Sequence, residues 1–362
     1  MSMDGPEKLR TRALAGDLAA QFALARLFDQ EGRHDVAVSW LERAAEGGHV
    51  PSMTYLGVRL AVGRAAPMDP AAGANLLARA TRAGAGDAAL RLAVLTATGV
   101  GRPQNWSEAL DLLQRAAVLD HEPAQAQLRV LTDQVGRWTA TSSDWKRLRK
   151  AIDLAEWGRA RPAKALSVSP RIEIFPRIAP AAVCAWLIER AKAREAPARV
   201  SNADEGGSNV DGMRTNTVTG FGLLDTDLVM LLVRARIAAA TGIPIALQEA
   251  ANVLHYTPGQ QYEPHVDYLD PEIGHFTEEL GLIGQRTGTF LVYLNDAYEG
   301  GETEFLDLDI RFKGRPGEAL YFVNVDQAGG PDRRTLHAGR PPTSGEKWVL
   351  SQWIRDRPQP IA

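Results

Sequence analysis

A repeat with a period of 36 residues runs through the first third of the chain and limits how that part can fold. The segment WLERAA at residues 40–45 recurs as LLARAT at 76–81 and as LLQRAA at 112–117. The same interval relates Gly48 to Gly84, so the match extends beyond these segments. Helical units rich in small alanines bury a continuous core between neighbours when they stack. The pattern therefore predicts an N-terminal α-solenoid.

Each repeat contains two Ala- and Leu-rich stretches with helical spacing, such as residues 18–29 and 34–45, joined by turns that contain glycine. The units begin with a G-D/H-x-x-A-x-x-x-L-like pattern and end with A-x-x-x-L-x-R-A-A. These features resemble the Sel1-like and tetratricopeptide repeat families, and the resemblance covers residues 12–130. We expect a repeat domain over residues 1–135.

The segment that follows begins with helical spacing and ends in Pro and Ser, which predicts a helical cap and linker over residues 136–168. Three tryptophans, Trp138, Trp145 and Trp157, lie in this segment. We interpret them as a hydrophobic cap on the end of the solenoid, with a recognition surface as the alternative.

Composition and charge exclude several classes of protein. Among 362 residues there are 41 Lys and Arg against 44 Asp and Glu, so no global charge favours nucleic acid. No run of about 18 apolar residues occurs, which excludes a membrane-spanning helix. The N-terminal segment lacks the apolar stretch of a secretion signal, and Cys184 is the only cysteine, so no intrachain disulfide forms. We expect a soluble, cytoplasmic protein without nucleic-acid or membrane partners.

From Arg171 onward the pattern changes to short β-type runs punctuated by Gly and Pro. Two helices precede most of the strands. The pattern predicts helices at residues 180–194 and 226–241, and strands at 171–175, 250–256, 289–294, 318–323 and 347–354. Many short strands after helices indicate a double-stranded β-helix (jelly roll) with flanking helices, here over residues 169–358. The whole chain is thus expected to be an α+β multidomain protein.

Two potential metal ligands lie close together at His265 and Asp267, and a third, His337, follows later in the chain. Residues i and i+2 of a strand point to the same face, so His265 and Asp267 are expected to enter one cavity. Two histidines and one carboxylate are the ligand set of non-haem Fe(II) oxygenases. The H-x-D pair by itself is weakly specific, and a hydrogen-bonded structural histidine is the alternative for His265.

A series of motifs in consistent order over residues 171–356 resembles the prolyl 4-hydroxylase family of 2-oxoglutarate dioxygenases. The series contains Y-x-x-G-x-x-Y-x-x-H-x-D from Tyr256, Arg286 ahead of T-x-x-x-Y-L-N from Thr289, G-G-E-T-E-F from Gly300, P-G before A-L-Y-F from Pro316, H-A-G-x-P from His337 and G-E-K-W-V-x-x-x-W from Gly345. An ordered series of this length is much more specific than any one motif.

The resemblance implies that His265, Asp267 and His337 hold Fe(II). It implies O2 and 2-oxoglutarate as co-substrates and admits ascorbate as a further cofactor. Residues implied at the 2-oxoglutarate site are Lys347, which binds the distal carboxylate, with Tyr293, Thr303, Tyr256 and Trp353. On a strand, residues 347, 349, 351 and 353 share a face, so Lys347 and Trp353 are expected to reach one cavity.

Two arginines match family positions near the substrate. Arg286 is implied as a catalytic residue near the substrate backbone, together with Tyr256, and Arg214 resembles a residue of the substrate groove. The plain alternatives are a surface salt bridge for Arg286, packing for the tyrosines and a solvated surface position for Lys347.

The function implied is Fe(II)- and 2-oxoglutarate-dependent hydroxylation of a C–H bond, with a prolyl residue of a peptide or protein as the favoured substrate. Hydroxylation of another residue or a small molecule is one alternative, because a fold does not fix a substrate. A catalytically silent repeat adaptor is another. We expect the repeats to dock a protein substrate, with stabilisation or self-association as the alternative.

Overall fold

The computed structural model describes residues 5–134, 141–201, 208–209 and 213–359. Its chain forms two compact units. The first runs to Leu154 and includes Thr226–Leu228, whereas the second contains Ala155–Asp225 and continues from Val229. Each unit is described separately below.

The first unit consists of helices arranged in consecutive pairs, as the repeat predicts. Acidic or amide side chains begin several of these helices: Asp69 and Asn105, one repeat apart, each accept a hydrogen bond from a backbone N–H of the first turn. The helices are α1 (Pro6–Leu14), α2 (Leu18–Gln30), α3 (His34–Glu46), α4 (Val50–Val62), α5 (Pro70–Arg82), α6 (Gly86–Thr98), α7 (Trp106–Val118), α8 (Glu122–Leu131) and α9 (Ser142–Ala151).

The repeated positions form the core of this unit. Leu41, Leu77 and Leu113 are equivalent in the three copies, and all three are buried. Glycines let two neighbouring helices approach closely: a Cβ built on Gly73 of α5 would lie 2.6 Å from the carbonyl oxygen of Gly57 in α4. The repeat therefore encodes both the apolar side chains and the close helix contacts of the solenoid.

The three tryptophans of the expected cap have different positions. Trp145 is buried in α9 of the first unit, with the guanidinium of Arg129 6.0 Å from its ring centre. Trp157 belongs to the second unit, where Arg236 lies 4.2 Å from its ring. Trp138 lies outside the described residues. The cation–π partner of Trp157 thus comes from the second unit, and a cap on the solenoid stays a prediction for this residue.

The second unit is a jelly roll with flanking helices, so the expected α+β class is confirmed. Its helices are α10 (Leu154–Trp157), α11 (Ala181–Lys192), α12 (Leu228–Thr241) and α13 (Gly274–Ile283). Its strands are β1 (Lys164–Val168), β2 (Arg171–Phe175), β3 (Ala196–Pro197), β4 (Val200–Ser201), β5 (Ser208–Asn209), β6 (Thr217–Phe221), β7 (Ala251–Tyr256), β8 (Tyr262–His265), β9 (Arg286–Tyr293), β10 (Tyr298–Gly300), β11 (Thr303–Phe305), β12 (Ile310–Phe312), β13 (Ala319–Val323), β14 (His337–Gly339), β15 (Pro342–Gly345) and β16 (Lys347–Arg355).

Two antiparallel sheets supply the walls of the jelly roll. The major sheet has eight strands in the order β1-β2-β13-β9-β16-β7-β6-β3, and the minor sheet has four in the order β12-β11-β14-β8. Apolar side chains of both sheets pack together, including Ile172, Leu320 and Phe322 from the major sheet and Phe305 from the minor sheet. This shared core fixes the position of one sheet relative to the other.

The sequence placed residues 164–168 in a linker, and this was wrong. They form β1, the edge strand of the major sheet, which pairs with β2. The short segment KALSV has little alternation, and its strand state depends on the pairing with β2, a contact that the sequence pattern does not show. Among the described residues, no helix is long and apolar enough to cross a membrane.

Candidate active site

Three side chains with metal-binding atoms converge in the jelly roll. One ligand atom from each of His265, Asp267 and His337 lies within 4.8 Å of the others. The Nε2 atoms of His265 and His337 are each 3.8 Å from an oxygen of Asp267. The structure thus brings together all three ligands that the sequence predicts.

The backbone sets the orientation of both imidazole rings. Nδ1 of His265 lies 2.7 Å from the carbonyl oxygen of Glu263, and Nδ1 of His337 lies 2.9 Å from that of Thr335. A carbonyl only accepts, so each Nδ1 carries a proton, and Nε2 is the nitrogen of each ring that can bind a metal. Burial lowers the pKa of His265 to about 3, with the nearby His337 as a further cause, so this imidazole is neutral.

The carboxylate of Asp267 is held by a chain of two further side chains. Thr289 Oγ1 donates to Asp267 Oδ2 over 2.7 Å, and Asn324 Nδ2 donates to Thr289 Oγ1 over 3.0 Å. The amide of Asn324 therefore directs the threonine hydroxyl hydrogen towards Asp267. Burial alone would raise the pKa of Asp267, but the two histidines and Thr289 lower it overall. The donor set of two imidazoles and one oriented carboxylate fits Fe(II).

Strand pairing explains how residues far apart in the chain meet. In the minor sheet, His337 of β14 is the register partner of His265 at the end of β8. One detail differs from the sequence expectation: β8 ends at His265, and Asp267 lies in the bend that follows. Asp267 still faces the cavity because Thr289, on the major sheet, binds its carboxylate.

Lys347 lies at the start of β16 and faces the same cavity as the three metal-binding residues. The predicted strand face is confirmed, since Lys347, Val349, Ser351 and Trp353 all line this cavity. Only 2% of Lys347 is exposed, so a solvated surface position is excluded. Burial lowers the pKa of Lys347 to about 7, partly offset by the charge of Glu302.

The other residues predicted at the 2-oxoglutarate site lie around Lys347, at different depths. Tyr256 and Thr303 line the cavity, and the ring of Tyr256 is 5.1 Å from Lys347 Nζ. Tyr293 lies behind Thr303: its hydroxyl is 2.8 Å from Thr303 Oγ1 and donates to the carbonyl of Phe312 over 3.2 Å. Tyr293 therefore supports the wall of the cavity through Thr303.

Arg286 lies in a wider cleft outside the inner cavity. Its Nε and Nη2 donate to the two carboxylate oxygens of Glu249 over 2.7 and 3.2 Å, and its guanidinium stacks 3.9 Å from the ring of Trp353. Arg355, 1% exposed, also contacts Glu249 and reaches Glu279 of α13. This buried ion-pair chain replaces the simple surface salt bridge considered from the sequence.

A second arginine lies between the cavity and the cleft. Arg214 lines both, and its guanidinium lies 4.6 Å from the ring of Tyr262. The Tyr262 ring in turn stacks on the imidazole of His265, with 3.4 Å between ring centres. Arg214 thus lies next to the metal-binding residues, and its role in a substrate groove stays a prediction.

Sequence reasoning missed several residues that shape this site. They lie between the recognised motifs, or in strands whose pairing partners the sequence pattern does not reveal. Thr289 is part of the quoted motif and carried no proposed role, whereas the others had no local signal: Asn324, Glu249, Glu279 and Arg355. The alternation of side chains along a strand did predict that Ser351 faces the cavity.

Comparison with known proteins agrees with this geometry. A sequence model of the 2OG-Fe(II) oxygenase superfamily matches residues 251–355. A probable prolyl 4-hydroxylase 9 of Arabidopsis thaliana is 36% identical over 215 residues, which cover 55% of this chain and 73% of the relative. The chain belongs to the prolyl 4-hydroxylase family of 2OG-Fe(II) oxygenases. It is a 2-oxoglutarate-dependent dioxygenase, and this family implies Fe(II), 2-oxoglutarate and O2.

Solved structures resemble each part of this dioxygenase. The viral collagen prolyl hydroxylase from Paramecium Bursaria Chlorella virus-1 has 26% identity and a TM-score of 0.39, covering 51% of this chain and 95% of the viral one. A Sel1 repeat protein from Oxalobacter formigenes has 30% identity and a TM-score of 0.32, covering 34% of this chain and 96% of its own. Each of these matches covers only part of this chain.

Proposed function

We propose that this dioxygenase hydroxylates a prolyl residue of a peptide or protein. The observation that supports the dioxygenase chemistry most strongly is one cavity with two ends. His265, Asp267 and His337 lie at one end, and the buried cation of Lys347 lies at the other. A 2-oxo dicarboxylic acid has complementary groups, because its oxo-acid end can chelate a metal and its distal carboxylate can meet the lysine.

His265, Asp267 and His337 would hold Fe(II) through two Nε2 atoms and one carboxylate oxygen. With O2 and 2-oxoglutarate, bound Fe(II) supplies the chemistry that inserts one oxygen atom into a C–H bond while the co-substrate becomes succinate and CO2. The carbonyls of Glu263 and Thr335 keep the imidazole rings in place, and Thr289 keeps the carboxylate in place. These contacts orient the ligands before any metal binds.

Lys347 would form the charge-assisted hydrogen bond to the distal carboxylate. The surrounding wall is apolar or aromatic, with Tyr256, Leu291 and Val349 lining the cavity. Such a wall excludes water and strengthens the attraction between ammonium and carboxylate. Tyr256 and Thr303 carry hydroxyl groups at the same end, so they would bind or orient the co-substrate, with Tyr293 behind Thr303.

The prolyl substrate is proposed from the relatives, which include a probable prolyl 4-hydroxylase at 36% identity and a prolyl 4-hydroxylase at 32%. Arg286 lines the outer cleft, where Glu249 and stacking on Trp353 orient its guanidinium, and we infer that it donates to a substrate carbonyl. Arg214 lies beside Tyr262 at the inner edge of the same cleft. These donors suit the backbone of an extended peptide.

A direct test incubates the full-length enzyme with Fe(II), 2-oxoglutarate and a library of proline-containing peptides. We expect succinate release together with a peptide mass increase of one oxygen, located on proline by fragmentation. Matched peptides with alanine in place of proline serve as the control. Oxygen on another residue in both sets would replace the prolyl assignment with hydroxylation of that residue. Succinate release with lysate metabolites alone would instead favour a small-molecule substrate.

We further propose that the repeats dock the protein substrate. Stacked helix pairs commonly present extended binding surfaces, and the first unit is built from such pairs. The test compares full-length enzyme with a variant lacking residues 1–154 on a short peptide and on the intact protein that contains it. Docking predicts selective loss of activity on the protein. Equal loss on both, with a lower melting temperature, would support a structural role.

A reducing compartment suits the single cysteine, so we propose a cytoplasmic location. Cys184 is buried, and burial raises the pKa of its thiol to about 12, which keeps it unreactive.

Ascorbate is proposed only as an auxiliary that sustains turnover. Adding it to the succinate assay tests this, because an unchanged number of turnovers would remove ascorbate from the cofactor list.

A further inference from the structure

The backbone on either side of Lys347 is held by an unusual partner, the side chain of Asn295. Strand β9 pairs with β16 up to Tyr293, and Leu294 N–H still donates to the carbonyl of Trp348 over 2.9 Å. The next contact to β16 comes from a side chain. Asn295 Nδ2 donates to the Glu346 carbonyl over 2.7 Å, and its Oδ1 accepts from Trp348 N–H over 2.9 Å.

The amide of Asn295 thus acts as a substitute peptide group. It uses one donor and one acceptor, as a strand backbone would, and it satisfies the two backbone groups that flank Lys347. On the opposite edge of β16, Lys347 is the register partner of Tyr256 in β7. The backbone at Lys347 is therefore fixed from both edges, although β9 itself ends two residues before Asn295.

The ammonium of Lys347 has much weaker local restraints than its backbone. Within the described parts of the chain, no carboxylate lies within ion-pair distance of its Nζ. Its near neighbours are the rings of Tyr256 and Tyr293, at 5.1 and 5.8 Å. The depth of the ammonium in the cavity consequently depends on where the backbone places the lysine stem.

We propose that Asn295 is a positioning residue that sets the depth of Lys347 and thereby selects the chain length of the 2-oxo dicarboxylic acid. This inference rests on the proposed co-substrate role of Lys347. A small shift of the ammonium changes its distance to a carboxylate held at the other end by the metal. 2-Oxoglutarate, the five-carbon diacid, would then lose its advantage in binding affinity over the diacid that is one methylene longer.

The test measures equilibrium binding of three oxo acids to full-length, Mn(II)-loaded protein. These are 2-oxoglutarate, the longer 2-oxoadipate, and 2-oxovalerate, which lacks the distal carboxylate. For Asn295→Ala we expect 2-oxoglutarate affinity to fall roughly five- to tenfold, the effect of losing two ordinary hydrogen bonds that position one group. Affinity for 2-oxovalerate should stay the same, and the preference for 2-oxoglutarate over 2-oxoadipate should narrow.

Two controls separate positioning from general damage. Asp296→Ala changes the neighbouring, exposed loop residue and should bind all three acids as wild type does. Asn295→Asp keeps the acceptor for Trp348 N–H and loses the donor to the Glu346 carbonyl, so it should also weaken 2-oxoglutarate binding, and it replaces Asn295→Ala in the test if that variant fails to fold. Hydrogen exchange at the Trp348 amide gives an independent measure, because its protection should fall in Asn295→Ala.

The outcomes distinguish this inference from the proposed function. Equal weakening for all three acids, with a lower melting temperature, would show a structural role and overturn the inference. Lower Trp348 protection with unchanged preference among the acids would also overturn it. If Lys347→Ala itself leaves the preference for 2-oxoglutarate over 2-oxovalerate unchanged, the role of Lys347 fails, and the proposed function needs another cation.

Discussion

The two ends of the cavity are held in different ways. At the metal end, each of the three ligands has a protein partner on its far side: carbonyl oxygens for His265 and His337, and Thr289 for Asp267. At the co-substrate end, the buried Lys347 faces aromatic rings and open space. One end is oriented by the protein alone, whereas the other, in the proposed role of Lys347, would be completed by the charge of the co-substrate.

This difference indicates how the enzyme can favour its co-substrate. A buried, unpaired ammonium is unfavourable, and burial accordingly lowers the pKa of Lys347 to about 7. A carboxylate bound there removes this unfavourable state, so a second negative charge on the oxo acid adds affinity. The preorganised metal ligands provide no such discrimination, because every 2-oxo acid offers them the same chelating end.

Loss of a metal ligand should have the largest effect. His265→Ala or Asp267→Ala is expected to abolish succinate formation. Metal affinity should fall by more than the about 10- to 100-fold loss that is typical when a residue hydrogen-bonded to a metal ligand is mutated. Calorimetric titration with Co(II) measures the affinity, and circular dichroism checks that the fold survives. Normal turnover by either variant after anaerobic iron reconstitution would contradict the metal assignment.

Lys347→Ala should affect the opposite end selectively. A charge-assisted hydrogen bond to a desolvated carboxylate contributes about 1.5 to 3 kcal/mol, which corresponds to a roughly ten- to hundredfold higher 2-oxoglutarate requirement. Metal affinity should remain close to wild type, and Co(II) titration of the same preparation provides that control. A similar loss of metal affinity would mean that the two ends are not independent.

Thr289→Val tests whether the metal end is preorganised. Removing the hydroxyl that binds Asp267 should lower metal affinity about tenfold, the lower limit for mutation of a residue that hydrogen-bonds a metal ligand. The preference for 2-oxoglutarate over other oxo acids should stay unchanged. Thr287→Val is the matched control, since its hydroxyl contacts the carbonyl of Ile354 on the same strand pair. Equal effects of both variants would assign the loss to the strand rather than to the carboxylate.

The smallest expected effect concerns pH. Because the pKa of Lys347 is about 7 in the ligand-free state, raising the pH removes the charge that the carboxylate needs. Between pH 6.5 and 7.5 the protonated fraction falls about threefold, so 2-oxoglutarate affinity should weaken by that factor. Lys347→Arg stays protonated and should remove this dependence. If 2-oxoglutarate affinity of the arginine variant depended on pH to the same extent, the dependence would come from a group other than Lys347.

Much of the fold could be predicted because the relevant signals are local. The 36-residue repeat marks the buried leucines of the solenoid, and turn residues separate the strands of the jelly roll. The alternation of side chains along a strand was enough to predict that Ser351 and Trp353 face the same cavity as Lys347. By contrast, β1 and the partner of Trp157 depend on tertiary contacts, and the pattern of residues gave no sign of them.

The site shows the same limit. Its candidate ligands could be chosen from residue type, spacing and resemblance, but their partners could not. Asn324 reaches Asp267 only through Thr289, and Glu249 joins Arg286 to Arg355 across three separate segments. Such contacts depend on how strands and loops pack, so neither a motif nor a periodicity contains them.

The pairing of His265 with His337 has a consequence for the order of folding. These residues are distant in the chain, and they meet only when β8 and β14 have found the correct register. Closing so long a loop is slow compared with forming the local helix pairs of the first unit. We therefore expect the repeats to form early on the folding pathway and the iron-binding pocket to mature late, so that newly made chains acquire metal only after the jelly roll has closed.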